Sequence, residues 1–460
     1  MLKRIGTASV LACSLSSVAA AESPTVRRLP ATVASVPSRD HAHNNRRVAH
    51  EYFADPPEPI APGASDRAAA PALSLDDLEH MALTSNPSIA RAEALVAAAR
   101  GNWVQVGLAP NPITGYEGQQ IGSGGRAEQD GVFVEQEFVR GGKLRLNRAI
   151  AAQEIQRLQQ QVAAQRQRVR PAVRIAFYSV LVAQQQEQLT QELLQIANQN
   201  VKAAETLLKG QEVGRVDLVQ AELEYENASI LAQNAAHRRA AAWQSLASVI
   251  GQPQLPPQAL AGDPEVDRDA LSYEAVRERL LSASPEIAAT IANLERARWA
   301  LQRANVEAVP NVTVQGLVNW RDEGIDGDPD GGITVGVPIP AWNRNQGGIL
   351  QAQSEVAAAQ RSLEQLELDL QNRLAPVYER YANARHQVKR YRTRILPAAQ
   401  ETLQLTRRLY EAGETSYVNL LTVQRTFSQT NFNYLEALRD LRASESELEG
   451  LLLSGSLEQR

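Results

Sequence analysis

"LKGQEVGRVDLVQAELEYENAS", Leu208–Ser229, breaks a long Ala/Gln/Leu/Arg-rich helical pattern at one short Gly-containing point, and the pattern resumes at once. "LYEAGETSYVNLLTVQRTFSQT", Leu409–Thr430, does the same, with Gly413 following Gly214 by 199 residues. The surrounding sequence repeats with these breaks. "NPSIARAEALVAAARGNWVQ" from Asn86 matches "SPEIAATIANLERARWALQ" from Ser284, and "LAPNPITGYEG" from Leu108 matches "AVPNVTVQGLV" from Ala308. "VRGGKLRLNRAIAAQ" from Val139 lines up with "PAWNRNQGGILQAQ" from Pro340, and every landmark is offset by 198 to 201 residues. A near-constant offset marks an internal duplication. One unit reads helix, strand, strand, long helix, break, helix.

The long helices carry coiled-coil spacing. In the second unit Val356, Ala359, Leu363, Leu366, Leu370, Leu374, Val377, Tyr381, Ala384, Val388, Tyr391 and Ile395 follow steps of three and four, a slightly interrupted heptad. A helix from Ile349 to Tyr410 would be about 90 Å long at 1.5 Å per residue, too long for one compact domain. Pro376 and Pro397 are expected to bend or interrupt it. The matching run, Leu144–Lys209, contains Pro171.

The strand pairs have a different period. "NVTVQGLVNW" alternates Val312, Val314, Leu317 or Val318, and Trp320, while "GITVGVPIP" puts Ile333, Val335, Val337 and Ile339 on one face. "NPITGYEGQQI" and "DGVFVEQEFV" are their blurrier counterparts. The expected strands are 111–121, 130–139, 310–320 and 332–340. Four strands close no useful barrel and would leave two bare edges, whereas three chains supply twelve strands and close one. Strands of this length suit an outer-membrane barrel, with Tyr116, Phe133, Phe138, Trp320 and Trp342 as candidate interfacial aromatics or as plain packing.

The composition suits long helices: aromatics are 5%, charged residues 22%, and the net charge of −5 gives no sign of a nucleic-acid partner. Residues 1–21 read as an export signal, with Lys3 and Arg4 before a short apolar run and small residues at its end. The only cysteine, Cys13, follows "VLA". Cleavage there would make it a lipid anchor, and cleavage after Ala20 or Ala21 would leave a chain without cysteine. Residues 22–72 read as a Pro/Ala/His-containing disordered linker. Order is expected from Ser74, a helix cap with Asp77 at the third helical position. The first repeat then covers 73–262, with a tip at 210–220. The second covers 263–455, with a tip at 411–419.

From residue 74 to 453 the chain resembles the TolC family of outer-membrane efflux proteins. "VRGGKLRLNRA" (139–149) and "VGVPIPAWNRNQGGI" (335–349) are similar to segments of its CzcC-like heavy-metal branch. The resemblance implies a homotrimer in outer-membrane lipid, with a 12-stranded barrel and an α-helical periplasmic tunnel. It further implies a periplasmic adaptor (membrane fusion) protein and an inner-membrane RND-type pump. The two breaks then become the periplasmic tips. Val213, Gly214, Arg215, Val216 and Asp217, with Ala412, Gly413, Glu414, Thr415 and Ser416, are the implied adaptor-docking residues. Val213-Gly214 retains the family's Val-Gly motif and Ala412-Gly413 approximates it. As ordinary helix-hairpin turns, the same stretches need glycine's freedom at Gly214 and Gly413 and caps at Asp217 and Ser416.

Acidic residues close the aperture in TolC. Asn419 and Thr422 occupy those places here, with Gln220 at the related place in the first unit, so these three are the candidate aperture lining. Asp217, Glu222, Glu224 and Glu226 either line the narrow end or form a solvated face. "DGDPDGG", from Asp326, lacks the twelfth-position Glu of a calcium loop and reads as an acidic hairpin loop. His41, His43 and His50 read as incidental in the linker. No Walker loop, zincin motif or nucleophile elbow is present, so no enzyme, cofactor or resident metal is expected. The cargo implied is a heavy-metal cation. Drug efflux, type I secretion and, from another class, a periplasmic adaptor protein are the competing readings.

Overall fold

The computed structural model describes residues 72–119, 121, 127, 129–211, 213–322, 328–412, 414–453 and 455. The signal segment, Cys13, the linker histidines, Asp326 and Gly413 lie outside the described residues. Both units run in the same order. The first comprises β1 (Leu73–Ser74), α1 (Leu75–Ser85), α2 (Pro87–Gln105), β2 (Ile113–Gln119), β3 (Gln129–Phe138), α3 (Lys143–Lys209) and α4 (Arg215–Ile250). The second comprises β4 (Leu260–Ala261), α5 (Tyr273–Ala283), α6 (Pro285–Asn305), β5 (Val312–Asp322), β6 (Asp330–Gly336), α7 (Gln346–Arg390), a π-turn (Tyr391–Ile395), α8 (Leu396–Glu411) and α9 (Tyr417–Glu449).

The opening helix of each unit is two helices rather than one. Pro87 and Pro285 each sit at the first helical position after an extended Asn86 or Ser284, where the missing N–H costs nothing. Asn86 caps α2 by accepting from the Ser88 N–H at 2.9 Å. Ser74 and Asp77 form the capping box of α1, with the Ser74 N–H donating to Asp77 Oδ2 at 3.1 Å and the Asp77 N–H donating to Ser74 Oγ at 3.2 Å.

The core repeats as well. Leu78 and Ala82 of α1 pack against Val169, Val173 and Phe177 of α3 and Trp243, Leu246 and Ile250 of α4. Val276 and Leu280 of α5 meet Leu370, Leu374 and Tyr381 of α7 and Leu441 and Leu448 of α9. Each fully buried Leu, Ile or Phe contributes about 1.5–3 kcal/mol by removal from water. Below the first core the helices approach closely through small residues. Thr190, Ala197 and Ala204 of α3, and Ala221, Ala228 and Ala235 of α4, are buried at seven-residue intervals.

Pro171 and Pro376 lie inside helices assigned without a break. Pro397, by contrast, follows the π-turn. A proline ring clashes with the carbonyl four residues earlier, here Thr393, and the wider turn relieves that conflict. The heptad slips as a result. Ala359, Leu370, Leu374, Tyr381 and Ala384 are buried as expected, but Ile395 emerges into solvent.

Candidate functional site

At the first tip, α3 ends on Gly210 and the chain reverses through Gln211, whose φ is 62°. Gln211, not Gly214, carries the left-handed conformation. Gly214 is extended at φ −81° and ψ 160°, which any residue adopts, so its expected role as a source of backbone freedom is not what the turn requires. Asp217 also differs from expectation. It is the third residue of α4 rather than its N-cap, and its Oδ2 accepts the Gly214 N–H at 3.1 Å. Val213 is half-buried, Arg215 is exposed, and Val216 projects at 68% exposure.

At the second tip the Glu414 N–H donates back to the Leu409 carbonyl at 2.9 Å, closing the end of α8. Ala412 and Glu414 are exposed and Thr415 is half-buried. Ser416 is the N-cap of α9, its Oγ accepting from the Asn419 N–H at 3.3 Å. The Tyr410 and Tyr417 rings meet across the hairpin, tilted by 49° with centroids 5.8 Å apart. Burial pushes the Tyr417 hydroxyl up to about 12, and the nearby Tyr410, Glu224 and Asp217 add to the shift. Asp217 belongs to the first tip and Glu224 to α4 just beyond it, so the two tips lie side by side. Arg425 of α9 bridges to Glu224 of α4 with Nη2–Oε2 at 2.5 Å.

The candidate aperture residues are not equivalent. Asn419 and Thr422 are exposed one turn apart on α9, with the Asn419 amide donating to Thr415 Oγ1 at 2.9 Å and Thr422 Oγ1 to the Val418 carbonyl at 2.8 Å. The Gln220 carbonyl oxygen is buried without a partner among the described residues. Asp217 is engaged as a cap and Glu224 as an ion pair, which leaves Glu222 and Glu226 exposed on α4.

At the other end the strands form one antiparallel sheet in the order β2-β3-β5-β6. The pairing of β3 with β5 joins the two repeats, with Phe138 opposite Val312 and a bulge between Asp130 and Gly131. The register sorts side chains between faces. Tyr116 lies opposite Val132, Val132 opposite Val318, Val134 opposite Gly316, and Gly316 opposite Ile333, so one face is apolar and exposed. The Tyr116 and Trp320 rings lie 6.1 Å apart at its loop end. Phe138 and Trp342, the latter 91% exposed, stand at the helix end. Phe133 does not join them. It pairs with Gly115 and Leu317 on the opposite face and fills the space that a Cβ at Gly115 would enter, with Cε1 only 2.8 Å away.

No helix among the described residues is long and apolar enough to cross a membrane. A sheet with one greasy face, two open edges and long helices below it is a fragment of a wall. The family model described as outer membrane efflux protein matches residues 78–252 and 276–452, one match per repeat. The chain belongs to the outer membrane efflux protein family. Its place is therefore the outer membrane, with the helices extending into the periplasm, and its family carries out transport rather than catalysis.

Over 393 residues the chain is 26% identical to the cobalt-zinc-cadmium resistance protein CzcC of Cupriavidus metallidurans, covering 84% of this chain and 91% of that one. Among solved structures, a membrane protein from Pseudomonas aeruginosa superposes with a TM-score of 0.71 at 18% identity, over 87% of this chain and 98% of that one. CusC, solved in work on transmembrane channel formation, gives 0.65 at 19% identity, over 83% and 92%. These likenesses bear out the barrel-and-tunnel fold.

Proposed function

We propose that this protein is the exit duct of a tripartite heavy-metal efflux system, passively conducting cobalt-, zinc- or cadmium-like cations to the exterior. The observation that carries the reading is the likeness to CzcC, which spans 91% of that protein. A homotrimer builds the duct, an adaptor docks on the tips from Val213 to Asp217 and Ala412 to Ser416, and an RND-type pump supplies the energy. The flanks of the helical half support the trimer. Val216, Val219, Leu223 and Ile230 form an exposed heptad stripe on α4, and Leu405 and Leu409, with Ile395 at the end of the π-turn, expose apolar side chains along α8. Within the chain α4 packs on α3, α3 on α9 and α9 on α8, so the two apolar surfaces lie on opposite flanks. Joining α4 of one copy to α8 of the next gives a head-to-tail ring, which closes at the copy number its rotation allows.

The test is a deletion strain challenged with cobalt, zinc and cadmium salts alongside dyes and detergents. Sensitivity to the metals, reversed by the intact gene, is expected. Unchanged metal tolerance with new sensitivity to dyes would replace this cargo with drugs.

A further inference from the structure

The second face of the sheet differs in charge from the first. Glu137 stands opposite Thr313, Glu135 opposite Ile113 and Gln315, and Glu117 opposite Gly131, which in turn pairs with Asn319. At about 3.4 Å per residue, Glu137 and Glu135 are about 7 Å apart along the strand and Glu117 stands about 14 Å farther on. The three carboxylates thus occupy separate levels of the wall.

The groups that touch them are neutral amides. Glu137 Oε1 accepts from Asn311 Nδ2 at 2.7 Å, and Glu117 accepts from Gln119. No hydrogen bond or ion pair engages the Glu135 carboxylate among the described residues. Arg321 is the only basic residue in strands β2, β3, β5 and β6. It is spent on the other face, with Nη2 2.8 Å from Asp130 Oδ2. Below the sheet, Lys143 Nζ is held by Asn311 Oδ1 at 3.2 Å.

The apolar face must meet lipid, and barrel strands alternate lipid-facing with lumen-facing residues. We propose that Glu117, Glu135 and Glu137 set the charge preference of the bore, favouring hydrated cations over anions. Closure repeats each level around the ring, and rings of acidic side chains select cations by their field rather than by a fitted site. The field acts over about 10 Å at 0.1 M salt and about 3 Å at 1 M, so the preference is strong in dilute salt and fades in concentrated salt. This inference rests on the duct reading and not on which cation is exported.

The test is the reversal potential of purified protein in planar bilayers under a potassium chloride gradient. The parent is expected to prefer potassium at low salt and to lose much of that preference near 1 M. Glu135→Gln, which breaks no bond, should lower the potassium-to-chloride permeability ratio about twofold, and E117Q/E135Q/E137Q should lower it further, with the Asp330 carboxylate left on the same face opposite Asn319. Glu135→Lys should push it toward chloride. A larger change in the tip variants Glu222→Gln and Glu226→Gln than in the strand variants would place the charge preference at the tips and overturn the proposal. A parent without cation preference, or a conducting triple variant with an unaltered reversal potential, would overturn the proposal alone. Protein that never conducts would overturn the duct reading with it.

Discussion

Arg442→Ala should open the junction between the two repeats. Arg442 of α9 is 3% exposed. Its Nε donates to the Pro264 carbonyl at 2.8 Å, its Nη1 to Glu445 at 2.7 Å, and its Nη2 to the Val266 carbonyl. The segment between β4 and α5 is thereby tied to α9. Arg268 of that segment reaches back to the Tyr178 hydroxyl at 2.7 Å and to Glu445 at 3.4 Å. Truncating Arg442 strands two carbonyls and half-strands a buried carboxylate, a loss of about 3–5 kcal/mol. At 1.4 kcal/mol per tenfold, the open state gains about a hundredfold or more. Tryptic cleavage after Arg268 reports that state, because proteolysis follows the open population when reclosing is fast. Glu445→Gln should be milder, since Arg442 keeps both carbonyls. A cleavage rate within about threefold of the parent in Arg442→Ala would refute the reasoning.

Gly214→Ala should leave thermal stability within about 1 kcal/mol, because the backbone is extended and the nearest atom to an added Cβ lies 3.7 Å away. Lost metal resistance in that variant would therefore report docking rather than folding. Val335→Lys on the apolar face should cost about 2–4 kcal/mol per copy at the bilayer midplane and deplete the outer-membrane fraction, while Thr334→Lys on the bore face should not. Gly251→Ala should lower the melting temperature, since φ is 86° and the new Cβ would fall 2.7 Å from the Ser85 carbonyl. The Ser74 hydroxyl and N–H hold the Asp77 carboxyl below the usual carboxylate range. Its contribution is complete at neutral pH and is lost as pH falls from the ordinary aspartate range through the lowered folded value. Amide exchange in the first turn of α1 should quicken over that interval, and Asp77→Asn should abolish the dependence.

The features legible in the sequence were those with a local period or a fixed spacing. The Ser74–Asp77 box, the seven-residue stripe through Leu370 and Leu374, and the alternation from Ile333 to Val337 each need only neighbours along the chain. What escaped reading depends on partners far away. Pro397 announces an interruption, but not that it takes the form of a π-turn that displaces Ile395. Gly214 looks like a hinge until Gln211 is found to carry the positive φ. The carboxylate levels were hidden because Phe133 sits among them and blurs the alternation of β3. Only the pairing of β3 with β2 and β5 assigns Glu135 and Glu137 to one face.

The sheet ends at β2 on one side and β6 on the other, and β6 has neighbours along only one edge. The genetic consequence is that a defective copy can harm the good ones. On the three-copy reading, a cell making equal amounts of normal and edge-blocked chain would assemble only about one duct in eight from normal copies alone. Edge variants in β2 or β6 should therefore act as dominant-negative alleles, whereas a null allele of the same gene should be recessive.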